Sequence, residues 1–599
     1  MKKKIYKNIR NTGLIVLMGL MGLMQTGCSD FLEIEPLNEI IMDKFWTEKA
    51  DVDNIIAGCY SGMQDAKVVK RMMVWGEFRS DNIGVGQNIN KDNSLEKVLK
   101  ENIDAKNEYT KWECFYNVIN RCNTVIKYAP GVAAADPGYT QNELQANIAE
   151  VTALRALCYF YLIRAFRDVP YSSEAFTDDD QTMDLPATKF NDVLDSLIIS
   201  LENVKGMAVR RYPTTKPLYQ SGRVTQDMIY ALLCELYLWK KDYQKCIQYA
   251  DLVIESKKEI AENNKKSSNS SELGIGKNSS SDNEERFNGY PLISELSTTN
   301  MYGNAFEKLF CSDDYSKLYD QEIIFQLIYD DDPHANSMPA NGAINDFYGN
   351  ATSNVGLVAP SDFLIDDIGK TSQRNIFADR NKKVDTRLYE NCNVDDKAVN
   401  KFATRAIEIN TAAKATDPKA SYGRYYTEGQ NGSNWVIYRL TDIMLMKAEA
   451  LTQMLREGSD QETVDFNKPY LDQAFTLVNA VNKRSVCQST LTDTLQRGDY
   501  ATKSQMEDLV YQERQRELMF EGKRWFDLVR ISQRTGTTAT LSSVALRKVT
   551  TGGSLISNKL AKMDAIYWPY NYEELKVNKN LQQNPAFGSG EKSVFEVAE

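Results

Sequence analysis

The segment Gln141–Phe166 reads QNELQANIAEVTALRALCYFYLIRAF, and it predicts more about the fold than any other part of the chain. One stripe of residues at helical spacing comprises Leu144, Ile148, Val151, Arg155, Cys158, Leu162 and Ala165. A second stripe is rich in alanine and comprises Ala146, Ala149, Ala153, Ala156, Phe160 and Ile163. A helix that is apolar on two faces has to be covered on both. The segment therefore predicts a long helix that packs between two neighbours.

Further stretches with amphipathic helical spacing occur along the rest of the chain. They cover about 108–128, 191–201, 225–239, 242–254, 435–454, 470–483 and 504–529. Helix pairs whose small residues let backbones approach are typical of TPR-type solenoids. The short Lys241-Asp242 turn, followed by Tyr243 and Ala250, fits that pattern. The fold class predicted is mainly α, with a platform of TPR-like helix-turn-helix units.

Two regions interrupt the helical pattern. Residues 256–286 are mostly Lys, Ser, Asn and Glu, and we predict a disordered surface insertion there because so few apolar groups cannot offset the entropy of ordering. Residues 287–430 are rich in Gly, Asn, Pro and Tyr and contain short β-rich pieces such as Glu322–Ile328. We predict that this second region is loop-rich, partly β, and carries the ligand-binding residues.

The N-terminus has the layout of a lipoprotein signal peptide. Five basic residues and no acidic ones precede residue 28, and the apolar run Leu14–Met24 is too short to span a bilayer. Gln25-Thr26-Gly27 then places small residues before Cys28, the predicted site of lipid attachment. Several acyl chains anchor a protein stably to a membrane. The acidic segment after Cys28 resembles the surface-export signals of lipoproteins, so we expect the body of the protein to lie outside the cell, at the cell surface.

Composition excludes several classes of function. The chain has 599 residues, is 42% hydrophobic and carries a net charge of −11, so it forms a large core and an acidic surface that repels nucleic acid. Its ten cysteines show no Cys-x-x-Cys pair, which indicates core residues and not a disulfide framework. His334 is the one histidine, so a histidine-based triad or metal site is not expected. No cofactor or metal is predicted.

Five segments carry sequence motifs in a fixed order. They are Ala149–Pro170, Gly222–Leu238, Tyr438–Ala450, Glu513–Arg530 and Gln583–Pro585. In the third, Arg439-Leu440-Thr441-Asp442 leads to Lys447-Ala448-Glu449-Ala450, and in the fourth, Glu513-Arg514-Gln515-Arg516-Glu517-Leu518 leads to Gly522-Lys523-Arg524-Trp525. Their order and spacing cover nearly the whole chain after Cys28.

Together these motifs resemble the SusD/RagB family of outer-membrane nutrient-binding lipoproteins. The resemblance implies about four TPR-like units that bear a variable ligand region, and a binding protein without catalytic activity. It also implies a TonB-dependent SusC-like transporter as partner, to which the lipoprotein delivers an oligosaccharide captured outside the cell. The chain departs from the family at Arg167, where glycine is usual, and at Ala586-Phe587, where Gly-Tyr is usual.

The charged residues of the motifs admit two interpretations. Glu513, Glu517 and Glu521 share one face of a predicted helix, and a pair of carboxylates is what a glycosidase needs. Nearby arginines, however, lower the pKa of a carboxylate, whereas a general acid needs a raised one. We therefore expect a structural ion-pair network that joins helices. Its expected members are Glu150, Arg155, Arg439, Glu449, Glu513, Glu517, Glu521 and Arg524.

Three clusters of aromatic and polar residues are candidates for the ligand site, because sugars bind aromatic faces flanked by hydrogen-bonding groups. They lie at Trp75–Asn82, Asn341–Asn350 and Tyr422–Tyr426. The residues expected to bind ligand are Trp75, Arg79, Asp81, Asn82, Asn341, Asn345, Tyr348 and Tyr425. The alternative for each cluster is that the aromatic residue fills a seam while the polar groups cap and turn the chain.

The sequence suggests four regions and leaves three other functions open. The regions are the signal peptide (1–27), an N-terminal helical region (28–255), the insertion (256–286) and a C-terminal region (287–599). A RagB-like protein for peptide uptake is not distinguished from a glycan binder by sequence. A surface glycoside hydrolase would turn over an oligosaccharide, and a purely structural TPR scaffold would have no affinity for small ligands.

Overall fold

Helices make up most of the described chain, and the predicted mainly α class is confirmed. The computed structural model describes residues 45–178, 180–267, 287–293, 305–310, 321–330, 339–350, 353, 355–365, 376–377, 384–385, 387–393, 396–403, 405–406, 424–425, 431–487, 495–549 and 552–588. The signal peptide with Cys28, as well as His334, Tyr422 and Tyr426, lie outside these residues. Residues from Glu48 onward form one compact unit by themselves.

The α-helices and strands are numbered here in chain order. The helices are α1 (Lys49–Gln64), α2 (Ala66–Met73), α3 (Asn93–Leu99), α4 (Glu113–Ala135), α5 (Gln141–Phe166), α6 (Phe190–Val204), α7 (Tyr219–Gly222), α8 (Gln226–Lys240), α9 (Tyr243–Ser267), α10 (Ala305–Phe310), α11 (Gly342–Phe347), α12 (Asp362–Ile365), α13 (Arg387–Asn391), α14 (Leu440–Gln453), α15 (Gln461–Ser485), α16 (Lys503–Leu518), α17 (Arg524–Thr535), α18 (Ala539–Leu546), α19 (Gly553–Leu560) and α20 (Tyr572–Val577). The strands are β1 (Ile83–Val85), β2 (Val169–Pro170), β3 (Ala187–Thr188), β4 (Ile323–Leu327), β5 (Val358–Pro360), β6 (Val384–Asp385), β7 (Cys392–Asn393), β8 (Ala398–Val399), β9 (Arg405–Ala406), β10 (Arg424–Tyr425), β11 (Trp435–Arg439) and β12 (Val486–Cys487).

Helix α5 has the bounds that the sequence predicts and lies at the centre of the N-terminal half. Thr140 caps it, accepting from Glu143 N–H at 3.3 Å, while the Glu143 carboxylate accepts from Thr140 N–H at 3.0 Å. It packs against both α4 and α6. Among the described residues it is the one helix long and apolar enough to cross a membrane, but 89% of that window is buried, which identifies a core helix.

The helical packing continues through the C-terminal half. Helix α8 packs on α9, α9 on α14, and α14 on both α15 and α16. Their core cluster includes Leu440, Leu445, Leu477 and Val510. The described strands form two-stranded antiparallel sheets, of which β4 with β11 joins two segments far apart in sequence. Strand β4 confirms the predicted β-rich piece within Glu322–Ile328.

The predicted insertion at 256–286 needs correction at its start, because helix α9 continues to Ser267. Lys257 explains the extension, since its Nζ donates to Ile323 O at 3.2 Å and lies 3.4 Å from Asp227 Oδ2. Ile260 and Ala261 are buried as well. The sparse apolar groups of this stretch are thus placed on one helical face. The remainder, 268–286, lies outside the described residues.

Seven cysteines among the described residues are free thiols. Six of them are buried, namely Cys59, Cys122, Cys158, Cys234, Cys246 and Cys392. Burial raises the pKa of the Cys392 thiol, which keeps it protonated and unreactive. These residues therefore serve the core as small apolar groups.

A close backbone contact joins the two halves of the chain. Residues Val74–Phe78 form a π-helical turn after α2, and its Gly76 lies against Gly522. A Cβ on Gly76 would stand 1.9 Å from Gly522 O. Gly522 itself has φ +72°, a conformation that favours glycine. We call this contact the Gly76–Gly522 junction.

Glu77 secures the junction by acting as a cap for α17. Its carboxylate accepts from the backbone N–H groups of Phe520 and Lys523 at 3.0 Å and of Arg524 at 3.2 Å. Lys523, at the N-cap position of α17, gives no side-chain cap of its own. A carboxylate at a helix N-terminus satisfies unpaired donors and opposes the positive end of the dipole. The N-terminal half thus supplies the cap for a C-terminal helix.

Arg167, the departure from the family pattern, lies in a strained turn. It follows α5 with φ 70° and ψ −79°, and Asp168 N–H donates to Phe166 O at 3.1 Å across it. Such γ-turns are unfavourable for residues with a side chain. The Arg167 guanidinium makes a compensating contact, donating to Asp564 Oδ1 at 2.8 Å.

Candidate functional site

Trp75 and Arg79, predicted to bind ligand, are fully buried. Trp75 Nε1 donates to Tyr109 O at 2.8 Å, and the indole stacks on Phe115 with ring centroids 5.0 Å apart. The Arg79 guanidinium lies 4.2 Å from the Trp525 ring centroid and donates to Glu101 Oε2 at 2.8 Å. Protein groups therefore occupy the surfaces that a sugar would need.

Asp81 and Asn82 are also fully buried and serve as a floor for the residues beside them. Asp81 accepts from Arg524 Nε and from Arg547 Nη1, both at 3.1 Å. Asn82 donates to Glu77 Oε1 at 2.7 Å and accepts from Gln515 Nε2 at 2.8 Å. This segment connects the Gly76–Gly522 junction to the surface.

The second predicted cluster is mostly structural too. Asn341 caps α11 by accepting from Ile344 N–H at 3.2 Å, and Tyr348 donates to Phe520 O at 3.0 Å. Asn345 is partly exposed, and its Oδ1 accepts from Asn431 N–H at 2.8 Å. Tyr425 belongs to strand β10, which pairs with β9.

The ligand-binding interpretation therefore changes for six residues, because a buried side chain with protein partners presents no face to a ligand. They are Trp75, Arg79, Asp81, Asn82, Asn341 and Tyr348. The first four support a neighbouring surface, which consists of residues that the sequence did not single out.

That surface begins where β1 pairs with β5, in the register Ile83 with Pro360 and Val85 with Val358. Ser361, directly after β5, donates from its N–H to Asn82 O at 2.9 Å and from Oγ to Asp81 O at 2.5 Å. These two bonds fix the start of α12 on the buried floor. The side chains that follow are consequently held in place from below.

Four side chains form what we call the candidate ligand face: Asp362, Phe363, Lys397 and Arg547. The Phe363 ring is partly exposed, and the Arg547 guanidinium lies 5.0 Å from its centroid. Lys397 Nζ pairs with Asp362 Oδ1 at 2.6 Å, and both side chains are more than half exposed. An aromatic ring flanked by hydrogen-bonding groups of both charges is suited to binding a polar ring compound.

Comparisons with known proteins identify the family. Residues 321–587 match the model of the SusD family, and residues 30–238 match a model described as starch-binding associating with outer membrane. SusD-like protein P38 of Formosa agariphila is 24% identical over 97% of this chain and 99% of its own length. SusD-like protein P2 of the same organism is 23% identical over 88% of this chain and 91% of its own.

The chain belongs to the SusD/RagB family. Solved structures show the same SusD-like fold at low identity. A SusD superfamily protein from Bacteroides vulgatus superposes with a TM-score of 0.60 at 16% identity, covering 90% of this chain and 100% of that one. A laminarin-binding SusD-like protein superposes with a TM-score of 0.55 at 18% identity, covering 90% and 99%.

SusD family proteins are non-catalytic binding proteins, and the carboxylates of α16 in this SusD-like protein are arranged accordingly. Glu517 accepts from Arg439 at 2.6 Å, from Arg387 at 3.0 Å and also from Arg484. Burial alone would raise the pKa of Glu517, but the three guanidiniums outweigh it and hold the pKa well below its usual value. A carboxylate held in this way does not act as a general acid.

The other predicted network members have partners within the protein as well, and all of these partners except Arg223 are buried. Glu513 pairs with Arg387, Glu521 with Arg439, Glu449 with Arg530, Arg524 with Asp81, and Glu150 with Arg223. Arg155 differs, because it donates to the neutral Asn123 Oδ1 at 2.7 Å. Among the described residues, no group of three or more His, Cys, Asp and Glu is arranged to hold a metal ion.

Acid sensitivity is a testable consequence of this SusD-like network. Although burial opposes it, Lys523 and Arg514 lower the pKa of Asp442 from 3.8 to about 2. The folded-state pKa is depressed, so the stabilisation is present above about pH 4 and is lost as pH falls toward 2. We expect Asp442 alone to contribute on the order of 2 kcal/mol to this loss.

Urea unfolding followed by circular dichroism between pH 5 and pH 2 measures the effect. The variant Asp442→Asn should be less stable at pH 5 and should show a shallower fall in stability with acidification. A fall as steep as that of the unmodified protein would show that Asp442 does not contribute.

Proposed function

We propose that this chain is a cell-surface lipoprotein that captures an oligosaccharide outside the cell and delivers it to a TonB-dependent SusC-like transporter. The candidate ligand face is the observation that carries the proposal. The part of the Phe363 ring that is exposed beside Arg547 supplies an apolar surface for sugar C–H groups, and Asp362, Lys397 and Arg547 supply hydrogen bonds of both senses.

The rigid floor of this face favours binding. Ser361, Asp81 and Asn82 fix the start of α12 through buried hydrogen bonds, so little conformational freedom is lost when a ligand docks. The buried carboxylate of Asp81 also holds the Arg547 guanidinium in place. A binding protein without catalytic groups benefits from such a pre-formed surface.

The relatives support both the ligand class and the location. One matching model is described as starch-binding associating with outer membrane, and one structural relative is described as laminarin-binding. Attachment to outer-membrane lipid through acylated Cys28 is part of the proposal, as is the division into a signal peptide (1–27), an N-terminal region that extends to the end of α9 at Ser267, an insertion that follows it, and a C-terminal region (287–599). The transporter would receive the ligand from the lipoprotein acting as its lid.

Isothermal titration calorimetry of the chain starting at Ser29 tests the proposal. The ligands are starch and laminarin oligosaccharides, a wider panel of plant and host glycans, and a casein digest, with a parallel assay for hydrolysis. We expect saturable binding of one glycan class without cleavage. Phe363→Ala should weaken that binding at least about tenfold, which corresponds to about 1.4 kcal/mol.

Phe466→Ala is the matched control. Phe466 is also partly buried beneath an arginine, with the Arg456 guanidinium 3.6 Å from its centroid, but it belongs to α15. It should leave glycan affinity unchanged. Binding of casein peptides alone would move the function to peptide uptake, and cleavage of any glycan would contradict a pure binding role.

A further inference from the structure

Arg547 differs from the other charged groups of the candidate ligand face because most of its hydrogen-bond donors remain available to a ligand. It follows α18 and is 35% exposed. It donates one hydrogen bond, from Nη1 to Asp81 Oδ2 at 3.1 Å, and within the described part of the chain its other N–H groups have no partner. A guanidinium carries five donors in a planar fork. Most of that fork therefore remains open.

The position of this guanidinium is fixed in advance. Asp81 is fully buried and also accepts from Arg524, so it forms a rigid anchor. Phe363 lies 5.0 Å away and favours a guanidinium over its ring. An arginine held by one carboxylate oxygen and one aromatic ring pays little entropy to bind a second group.

The neighbouring cations are less suited to this role. Lys397 is paired with Asp362 at 2.6 Å, so its charge is already compensated. Arg547, in contrast, shares the single carboxylate of Asp81 with Arg524 and leaves one positive charge in excess there. Lys548 donates to Phe78 O at 2.7 Å, and burial lowers its pKa to about 8. Arginine stays fully charged across this range and binds carboxylate or sulfate through two parallel bonds.

We propose that Arg547 makes the candidate ligand face specific for an acidic oligosaccharide, with a sugar carboxylate or sulfate bound by the open side of its guanidinium. This inference rests on the proposed glycan-binding function and names its substrate class. The net charge of −11 repels polyanions in general. Recognition of an acidic glycan therefore depends on a local, pre-formed cation, and Arg547 supplies it.

Paired oligosaccharides with one backbone test the inference by calorimetry on the chain starting at Ser29. One pair is an oligogalacturonate and its carboxyl-reduced form, and the other is a sulfated galactan oligosaccharide and its desulfated form. We expect at least about a tenfold preference for the acidic member of one pair, which weakens as salt is raised. The pair that shows the preference distinguishes carboxylate from sulfate.

Substitutions test whether Arg547 causes the preference for the acidic oligosaccharide. Arg547→Gln should reduce the preference for the acidic member to nearly one, and Arg547→Lys should retain part of it. Arg456→Gln removes the same charge and the same type of ring contact elsewhere, and it should leave the preference unchanged. Thermal unfolding of each variant shows whether the fold is intact.

Equal or tighter binding of the neutral members would overturn the inference while leaving the glycan-binding function standing. Loss of acidic preference in Arg456→Gln as well would assign it to general surface charge and would also overturn the inference. Failure of every glycan in both panels to bind would remove the proposed function itself.

Discussion

Glu517→Ala lowers the free energy of unfolding by about 3–5 kcal/mol, one of the two largest effects that we expect. Glu517 is fully buried and balances Arg387, Arg439 and Arg484. Without this carboxylate, three buried guanidiniums each lose an ion-pair partner. An unpaired charge is costly in the protein interior, where water cannot solvate it. Urea unfolding at neutral pH, monitored by circular dichroism, measures the change.

Glu96→Gln is the control for this prediction. Glu96 pairs with Lys100 at 2.5 Å on the surface of α3, where solvent screens the charges. The change should alter stability by no more than about 0.5 kcal/mol. If both variants lost similar stability, the buried ion-pair network would not make the large contribution to the free energy of unfolding that its geometry indicates.

Gly76→Ala destabilises the protein by on the order of 3 kcal/mol or more. The new Cβ would lie 1.9 Å from Gly522 O, and the obstructing atom belongs to the backbone, which cannot rotate away. Separating the Gly76–Gly522 junction would also lengthen the hydrogen bonds of Glu77 to residues 520–524. Thermal unfolding and glycan calorimetry together should show lower stability and weaker binding.

Gly58→Ala provides the matched comparison. Gly58 lies inside α1, and a Cβ there meets no atom within 4 Å. Alanine should stabilise the helix by about 0.5–1 kcal/mol because glycine loses more freedom on folding. A Gly76→Ala protein as stable as the parent would mean that the junction can open without cost.

The helices were predictable because their signal is local. The two stripes of Gln141–Phe166 recur within a few residues, and the capping residues Thr140 and Glu143 adjoin them. The contacts that each helix makes with other segments were harder to predict from the sequence. The loss of periodicity after Ser256, for example, hid a helical extension that depends on Lys257 reaching Ile323.

The candidate site could not be predicted because its contacts join segments that lie far apart in the sequence. Arg79 and Asp81 lie in a polar, glycine-containing stretch that looks like a surface loop, yet Arg79 bonds Ile566 O, 487 positions away. Phe363 and Arg547 are each unremarkable in their own segments, and only the fold brings them within 5.0 Å. No local pattern of residue types reports a contact between such distant segments.

The position of Glu77 in the sequence affects when the protein can complete its fold. Its carboxylate accepts hydrogen bonds from backbone N–H groups that lie 443, 446 and 447 positions later in the sequence. During synthesis from the N-terminus, this carboxylate has none of these three partners until residues 520–524 have been made. The described residues after Glu48 in the segment 30–238 and those in the segment 321–587 are therefore joined by this cap, although the two segments match separate family models. Such long-range closure makes folding slow, and a truncated chain from either half lacks the means to finish it.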